Sequence, residues 1–329
     1  MSRHRLTAAL ILLWLALSAV AGPRAAAAGL ELLAADFPVY LFTRNLLAGV
    51  PDSRVALLTN APSCPHDHVL TPAELEVLSR ADILVSGGLA LDAFLERSLG
   101  VAKPDLKVID ASGGGLSVRA GQNQNLVLDR NKARKWYRTP RPKGPDPHLF
   151  ASLSGAMTMT ENLAEAFSRL DPRGEEMYRS NANEINARFQ TLLLGFQSIA
   201  AGWSPKPRVI LSHAALGFLA ADLGLIVDDI IEGAEPEPVS DARLAELANR
   251  ALGCAAVLAY PHGRLDLART VGAKAKRPVA VIDPAASGPA DPPEDYFQKV
   301  FQTNLTVLNE LFGNKAAPSP ETKSSPEAK

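Results

Sequence analysis

From Pro172 to Ala201 the chain runs without an internal proline, in a pattern that predicts one continuous helix. At ~1.5 Å per residue such a helix is a rod of roughly 45 Å, as long as a domain is wide. A rod of that length restricts the fold more than any other stretch, because it acts as a stiff spine between two bodies. On either side of it, short apolar runs alternate with helical signals. Before it, strands are predicted at Leu30–Ala35, Val55–Thr59, Ile83–Ser86 and Leu106–Ile109. After it they are predicted at Arg208–Leu211, Leu225–Ile231, Ala255–Ala259 and Val279–Ile282. These runs are apolar on both faces, as in parallel sheets covered by helices. The expected fold class is therefore α/β, with two lobes of about four βα units each, parallel sheets, and a cleft between the lobes.

The punctuation agrees with that rhythm. Helices are expected at Phe37–Leu47, at Pro72–Ser79, after Gly87-Gly88 through Leu99, at Ser152–Leu170 and at Tyr296–Phe312. Thr71, Pro72 and Glu74 form a capping box with proline at the first helical position. The parts are then a lobe over 29–171, a spine over 172–202, a second lobe over 203–313, and a tail over 314–329. That tail is rich in Pro, Ser, Glu and Lys and is expected to be disordered. The rhythm breaks at Ser112-Gly113-Gly114-Gly115, and 119–143 is a basic, core-poor loop. It reads as a solvated excursion, and the glycines lack the Lys-Ser/Thr ending of a phosphate loop.

Residues 1–28 are set apart. Arg3, His4 and Arg5 precede an apolar run from Leu6 to Val20 and small-residue cleavage options. That is a secretory signal peptide, and no cysteine sits at the cleavage site, so export to the periplasm without a lipid anchor is expected. A formal net charge of -1 argues against nucleic acid as a partner, and no other apolar run is long enough to span a bilayer. The two cysteines, Cys64 and Cys254, fall at opposite ends of their sheets and are expected to be unpaired thiols.

The five histidines after the signal peptide, at 66, 68, 148, 213 and 262, all fall on strand-end or loop positions. In open α/β sheets, ligands bind beyond the carboxyl ends of the strands. His66, His213 and Asp283 each follow a predicted strand, and His148 sits where a loop enters a helix. Three imidazole nitrogens and one carboxylate complete a tetrahedral shell for Zn²⁺, and nitrogen-rich ligation favours zinc, copper or nickel over manganese. His68 points away from His66 in an extended loop and is assigned to support or surface; His262 is placed at the cleft rim. A zinc-dependent hydrolase remains an alternative, since a shell with one water-filled position activates that water.

The motifs resemble those of the periplasmic binding proteins of zinc and manganese ABC importers, the cluster A-I solute-binding family of zinc-uptake type. The resemblance rests on Pro65-His66-Asp67 before Leu70-Thr71-Pro72, on Asp146-Pro147-His148, and on Ser212-His213-Ala214 before Gly217-Phe218-Leu219. It extends to Glu235-Pro236-Glu237-Pro238, Ile282-Asp283-Pro284, Tyr296 and Asn304-Leu305. It implies two α/β lobes joined by a long helix, a metal held in the cleft by His66, His148, His213 and Asp283, and delivery to a membrane permease. The cargo implied is Zn²⁺, with a manganese-specific binder as the alternative, and His213 is the position implied to govern that choice. The expected molecule is a monomeric binding protein and not an enzyme. It departs from the family at His68, where an aromatic is usual, at Leu149-Phe150-Ala151, and in the basic 119–143 loop.

Overall fold

The computed structural model describes residues 29–60, 68–113 (apart from 90, 92 and 97), 115–118, 146–232 and 239–313. The signal segment, Cys64, His66, the basic loop, the Glu235–Pro238 motif and the tail lie outside the described residues.

The first sheet has strand order β2-β1-β3-β4-β5, with β1 at Glu31–Ala34, β2 at Arg54–Leu57, β3 at Ile83–Ser86, β4 at Lys107–Asp110 and β5 at Gly115–Val118. β1 to β4 are parallel, as expected, but β5 runs antiparallel on β4, with Asp110 opposite Gly115. This fifth strand departs from the sequence expectation. The glycine run serves as a reversal: Gly113 sits at φ 111°, where a side chain is strained, and turns the chain back on β4. The second sheet, order β7-β6-β8-β9, is parallel throughout: β6 Arg208–His213, β7 Ile226–Glu232, β8 Ala256–Ala259 and β9 Val279–Val281.

Helices α1 (Phe37–Leu46), α2 (Pro72–Arg80) and the single turn α3 (Ala93–Glu96) belong to the first sheet. The helix expected through Leu99 shrinks to that turn and a 3₁₀ turn at Leu99–Val101. Then come α4 (Leu153–Leu170) and α5 (Glu175–Ala201), followed by α6 (Gly217–Asp222), α7 (Asp241–Ala251), α8 (Leu265–Ala275) and α9 (Tyr296–Phe312). The capping box of α2 forms as the residues predict, with the Thr71 hydroxyl receiving Glu74 N–H and the Glu74 carboxylate receiving Thr71 N–H at 2.7 Å. No helix among the described residues is long and apolar enough to cross a membrane.

The 27-residue α5 starts at Glu175, after Gly174 rather than at Pro172. Its buried residues, Tyr178, Ala182, Ile185, Phe189, Leu193, Phe196 and Ala200, recur every three or four positions and make one stripe. The stripe does not bridge empty space. Phe189 meets Phe42 of α1 and Phe297 of α9, with ring centroids 6.3 and 5.1 Å away, and Phe42 meets Phe297 at 5.1 Å. One apolar core thus runs from the first sheet through α4, α5 and α9 to the second. The last helix, although it follows the second sheet, closes against the first lobe.

Candidate metal centre

His148 is completely buried and lies just before a 3₁₀ turn, Leu149–Ala151, that leads into α4. Asp146, two residues earlier, folds back on it: one carboxylate oxygen accepts His148 N–H at 3.0 Å and lies 2.8 Å from His148 Nδ1. A carboxylate can only accept, so the ring hydrogen sits on Nδ1 and the lone pair on Nε2. A carboxylate behind a ligating histidine fixes ring orientation and tautomer in this way. Gly155 lets the turn after His148 pack on the first turn of α4, because a Cβ there would lie 1.9 Å from the Leu149 carbonyl oxygen.

His213 ends β6 and is 4% exposed. Its ring stands edge-on to that of His148, with centroids 5.1 Å apart and planes at 80°. Two imidazoles, one from each lobe, are therefore in contact in the interior. The His213 tautomer is the reverse of the His148 one. Ala215 N–H donates to His213 Nδ1 at 3.0 Å, which leaves the ring hydrogen of the neutral form on Nε2. Ligation through His213 Nε2 thus requires the ring to exchange that backbone contact for the metal. Beyond His213 the line of rings continues to buried Tyr260, at 5.3 Å, and on to His262, at 5.7 Å. Ser212 holds the ends of β6 and β8 together by accepting Tyr260 N–H at 2.7 Å.

Asp283 follows β9 by two residues and is fixed from α9. Asn304 accepts Asp283 N–H at 3.0 Å and donates to the Asp283 carbonyl at 2.6 Å. The Asp283 carboxylate accepts Ala285 N–H at 2.8 Å. Burial pushes its pKa up from the usual carboxylate range, opposed by the Ala285 N–H and by charge on His262. His262 Nε2 lies 3.1 Å from the Ser287 hydroxyl, so His262 stands beside the segment that carries Asp283.

The structure thus brings His148 and His213 together. Asp283 does not join them: among the described residues, no three His, Cys, Asp or Glu side chains gather closely enough to hold one ion. His66, the remaining candidate, lies outside the described residues. His68 is turned to the capping box, with Nε2 at 3.0 and 3.1 Å from the two Glu74 oxygens and its ring edge-on to Phe94. Cys254 is buried and unpaired, 3.3 Å from an Asp228 oxygen; burial, with the Asp228 charge, pushes its thiol up to about 12, which makes it inert.

Tyr260 and Asn304 were not singled out as parts of the site from the residues alone. Tyr260 had a usable signal, since Tyr260-Pro261-His262 follows β8 at the same sheet end as His213. The service of Asn304 to Asp283 spans 21 residues of sequence and two elements, and nothing local announces it.

A family model, the periplasmic zinc-uptake complex component A (ZnuA), matches residues 33–311. The chain belongs to this family. Zinc-binding protein AdcA of Streptococcus pyogenes serotype M3 is 24% identical over 303 residues, which cover 87% of this chain and 57% of AdcA. The chain therefore spans little more than half the length of that relative. Among solved structures, the Pseudomonas aeruginosa binding protein FpvC with Ni²⁺ superposes with a TM-score of 0.71 at 19% identity, covering 88% of this chain and all but 1% of FpvC (99%). A crystal structure of ZnuA gives a TM-score of 0.66 at 20% identity, over 85% of this chain and 98% of that one. At such identities the structural likeness establishes the two-lobed α/β fold. The zinc-uptake family is one of periplasmic metal-binding solute-binding proteins and not of enzymes, which removes the hydrolase alternative.

Proposed function

We propose that the protein captures Zn²⁺ with His66, His148, His213 and Asp283 and hands it, as a monomer, to the membrane permease of an ABC importer. The observation that carries this reading is the buried His148–His213 contact at 5.1 Å, made by one ring from each lobe, with the His148 ring held by Asp146 at 2.8 Å. A nitrogen-rich pair of this kind suits zinc, and equally nickel or copper, better than manganese. The two further donors are assigned to the cleft ends. His66 comes from the loop after β2, and Asp283 from the segment after β9. Asp283 completes the shell by moving toward the imidazoles as the cleft closes on the ion.

Ligation needs neutral imidazoles, so affinity falls as pH drops through the histidine range near ~6.5. Zinc at a thousandfold over its dissociation constant adds about 4 kcal/mol to the stability of the fold. The test is a thermal-unfolding series on metal-stripped protein with zinc, nickel and manganese at pH 7.5 and pH 5.5. A zinc-dependent rise at pH 7.5 that shrinks at pH 5.5 is expected. No rise with zinc at either pH would sink the reading, and a larger rise with manganese would hand it to the manganese-specific alternative.

A further inference from the structure

Each histidine of the buried pair leads, within a few residues, to one half of a second contact between the lobes. From His148 the chain makes the 3₁₀ turn Leu149–Ala151 and enters α4 at Leu153. From His213 it makes the 3₁₀ turn Ala214–Leu216 and then α6, which ends at Asp222. The end of α6 meets the start of α4. Ser154 N–H donates to Asp222 Oδ2 at 3.1 Å, the Ser154 hydroxyl donates to Oδ1, and Leu153 N–H adds a third bond.

An α-helix opens with N–H groups that have no partner inside it, and its N-terminus favours negative charge. The first turn of α4 splits this requirement between two sources. Its own cap, Ser152, accepts Gly155 N–H at 3.0 Å, while Asp222 of the other lobe takes Leu153 and Ser154. A third element locks the junction: Gln197 of α5 donates to the Asp222 backbone carbonyl at 3.2 Å. Both routes from Asp222 back to the imidazoles are short and stiff. On one side Ala151 N–H bonds the His148 carbonyl at 3.0 Å, and the Leu149 carbonyl packs on Gly155, where no side chain fits. On the other side the whole turn Ala214–Leu216 is buried. A carboxylate here is held against its own desolvation, since burial pushes Asp222 up from the usual range despite the Ser154 and Leu153 N–H groups.

We propose that Asp222 is a positioning residue of the metal site: by binding the first turn of α4 across the lobes, it sets the spacing and facing of the His148 and His213 rings without touching either. The proposal rests on the zinc-capture reading above. The competing account is a helix cap that stabilises the fold and leaves the site alone.

The two accounts separate in Asp222→Asn and Ser154→Ala of the full mature chain. Each variant is stripped of metal and measured for thermal unfolding, for Zn²⁺ affinity against a chromophoric chelator, and for the visible spectrum of the Co²⁺-substituted protein. Asp222→Asn keeps one acceptor oxygen and the side-chain size. It is expected to weaken Zn²⁺ binding about tenfold, as loss of a partner behind a ligand does, and to shift the Co²⁺ bands. Ser154→Ala keeps the backbone bonds and is expected to move both readouts in the same direction by less. A lowered unfolding temperature with wild-type Zn²⁺ affinity and an unmoved Co²⁺ spectrum would overturn the positioning role. Should Asp222→Asn fail to fold, Ser154→Ala decides on the same readouts. A wild-type protein that binds neither ion defeats the zinc-capture reading and this inference together, whereas binding that is unaltered in both variants defeats this inference alone.

Discussion

The two sides of the candidate site, a histidine wall and an Asp283 wall, are built in opposite ways. On one, His148 and His213 are buried rings in mutual contact, each at the end of a stiff turn, and the lobes are tied behind them by the half-buried Asp222 carboxylate. On the other, Asp283 is half-buried, is kept in place by Asn304, and sits in a loop strapped to the first lobe and to the α5 spine by surface contacts. Those straps are Asn60 to Gly288, Arg44 to Asp291 and Pro292, Asn45 to Glu294, and Arg188 to Glu294. Buried, tautomer-specific contacts are costly to rearrange, whereas exposed neutral bonds and surface ion pairs stabilise by about 1 kcal/mol or less each. On the zinc-capture proposal, the difference predicts a division of labour: the histidine wall would carry affinity and the Asp283 wall the motion that admits and releases the ion.

The largest effect should come from the histidine wall. His148→Ala and His213→Ala are each expected to weaken Zn²⁺ binding by at least about a hundredfold, the upper end of what even the loss of a partner behind a ligand costs. Titration against a competing chelator measures it. His213 carries a second signature, since its Nδ1 accepts Ala215 N–H in this structure. Loading through Nε2 breaks that bond, so the Ala215 amide resonance should move on zinc addition while amides at the far end of β6, near Arg208, stay put. Wild-type affinity in either alanine variant would dissolve the contrast between the walls.

The Asp283 wall should respond next, and differently. Asn304 is buried and bonds Asp283 through both its backbone groups. Asn304→Ala strips both and leaves a buried N–H and C=O without that partner, a loss of about 2–3 kcal/mol in folding stability. Zinc affinity should fall as well, because the carboxylate is no longer presented from a fixed backbone. Urea unfolding and chelator competition on the same preparation separate the two effects. Lost stability with unchanged affinity would show that the Asn304 contact supports the core alone.

How far such a design could be read from residues differs with the distance over which each contact acts. Short-range signals were legible: β3 at Ile83–Ser86, α9 at Tyr296–Phe312 and the Thr71–Glu74 capping box appear where the local pattern places them. The histidines stood out because imidazoles at the carboxyl ends of strands point to one end of a sheet. What stayed hidden acts across elements. Asp222 looks like an ordinary helix-end acid, and its partner Ser154 is 68 residues away. The opposite tautomers of His148 and His213 depend on single backbone and carboxylate contacts that no spacing rule encodes. The antiparallel strand at Gly115–Val118 was missed because its four residues are too few to show a period, and the glycines before it read as a break rather than a turn.

The smallest effect tests the other half of the contrast. Asn60 lies between β2 and the His66 loop, and its amide bonds the Gly288 backbone both ways, donating at 2.7 Å and accepting at 3.2 Å. Gly288 is itself pressed on Phe37, where a Cβ would lie 2.3 Å from the ring, so its backbone can reach Asn60 only because it carries no side chain. This tie joins the segment that carries His66 to the one that carries Asp283, as Ser154–Asp222 joins those of His148 and His213. It is exposed and neutral, so Asn60→Ala should cost no more than about 1 kcal/mol in stability. If the Asp283 wall is the moving one, that small loss appears mainly as faster release: the zinc off-rate, read by stopped-flow with excess chelator, rises a few-fold while the on-rate holds. A tenfold loss of affinity, on the scale expected for Asp222→Asn, would mean that both ties hold the site rigid and that the walls do not differ.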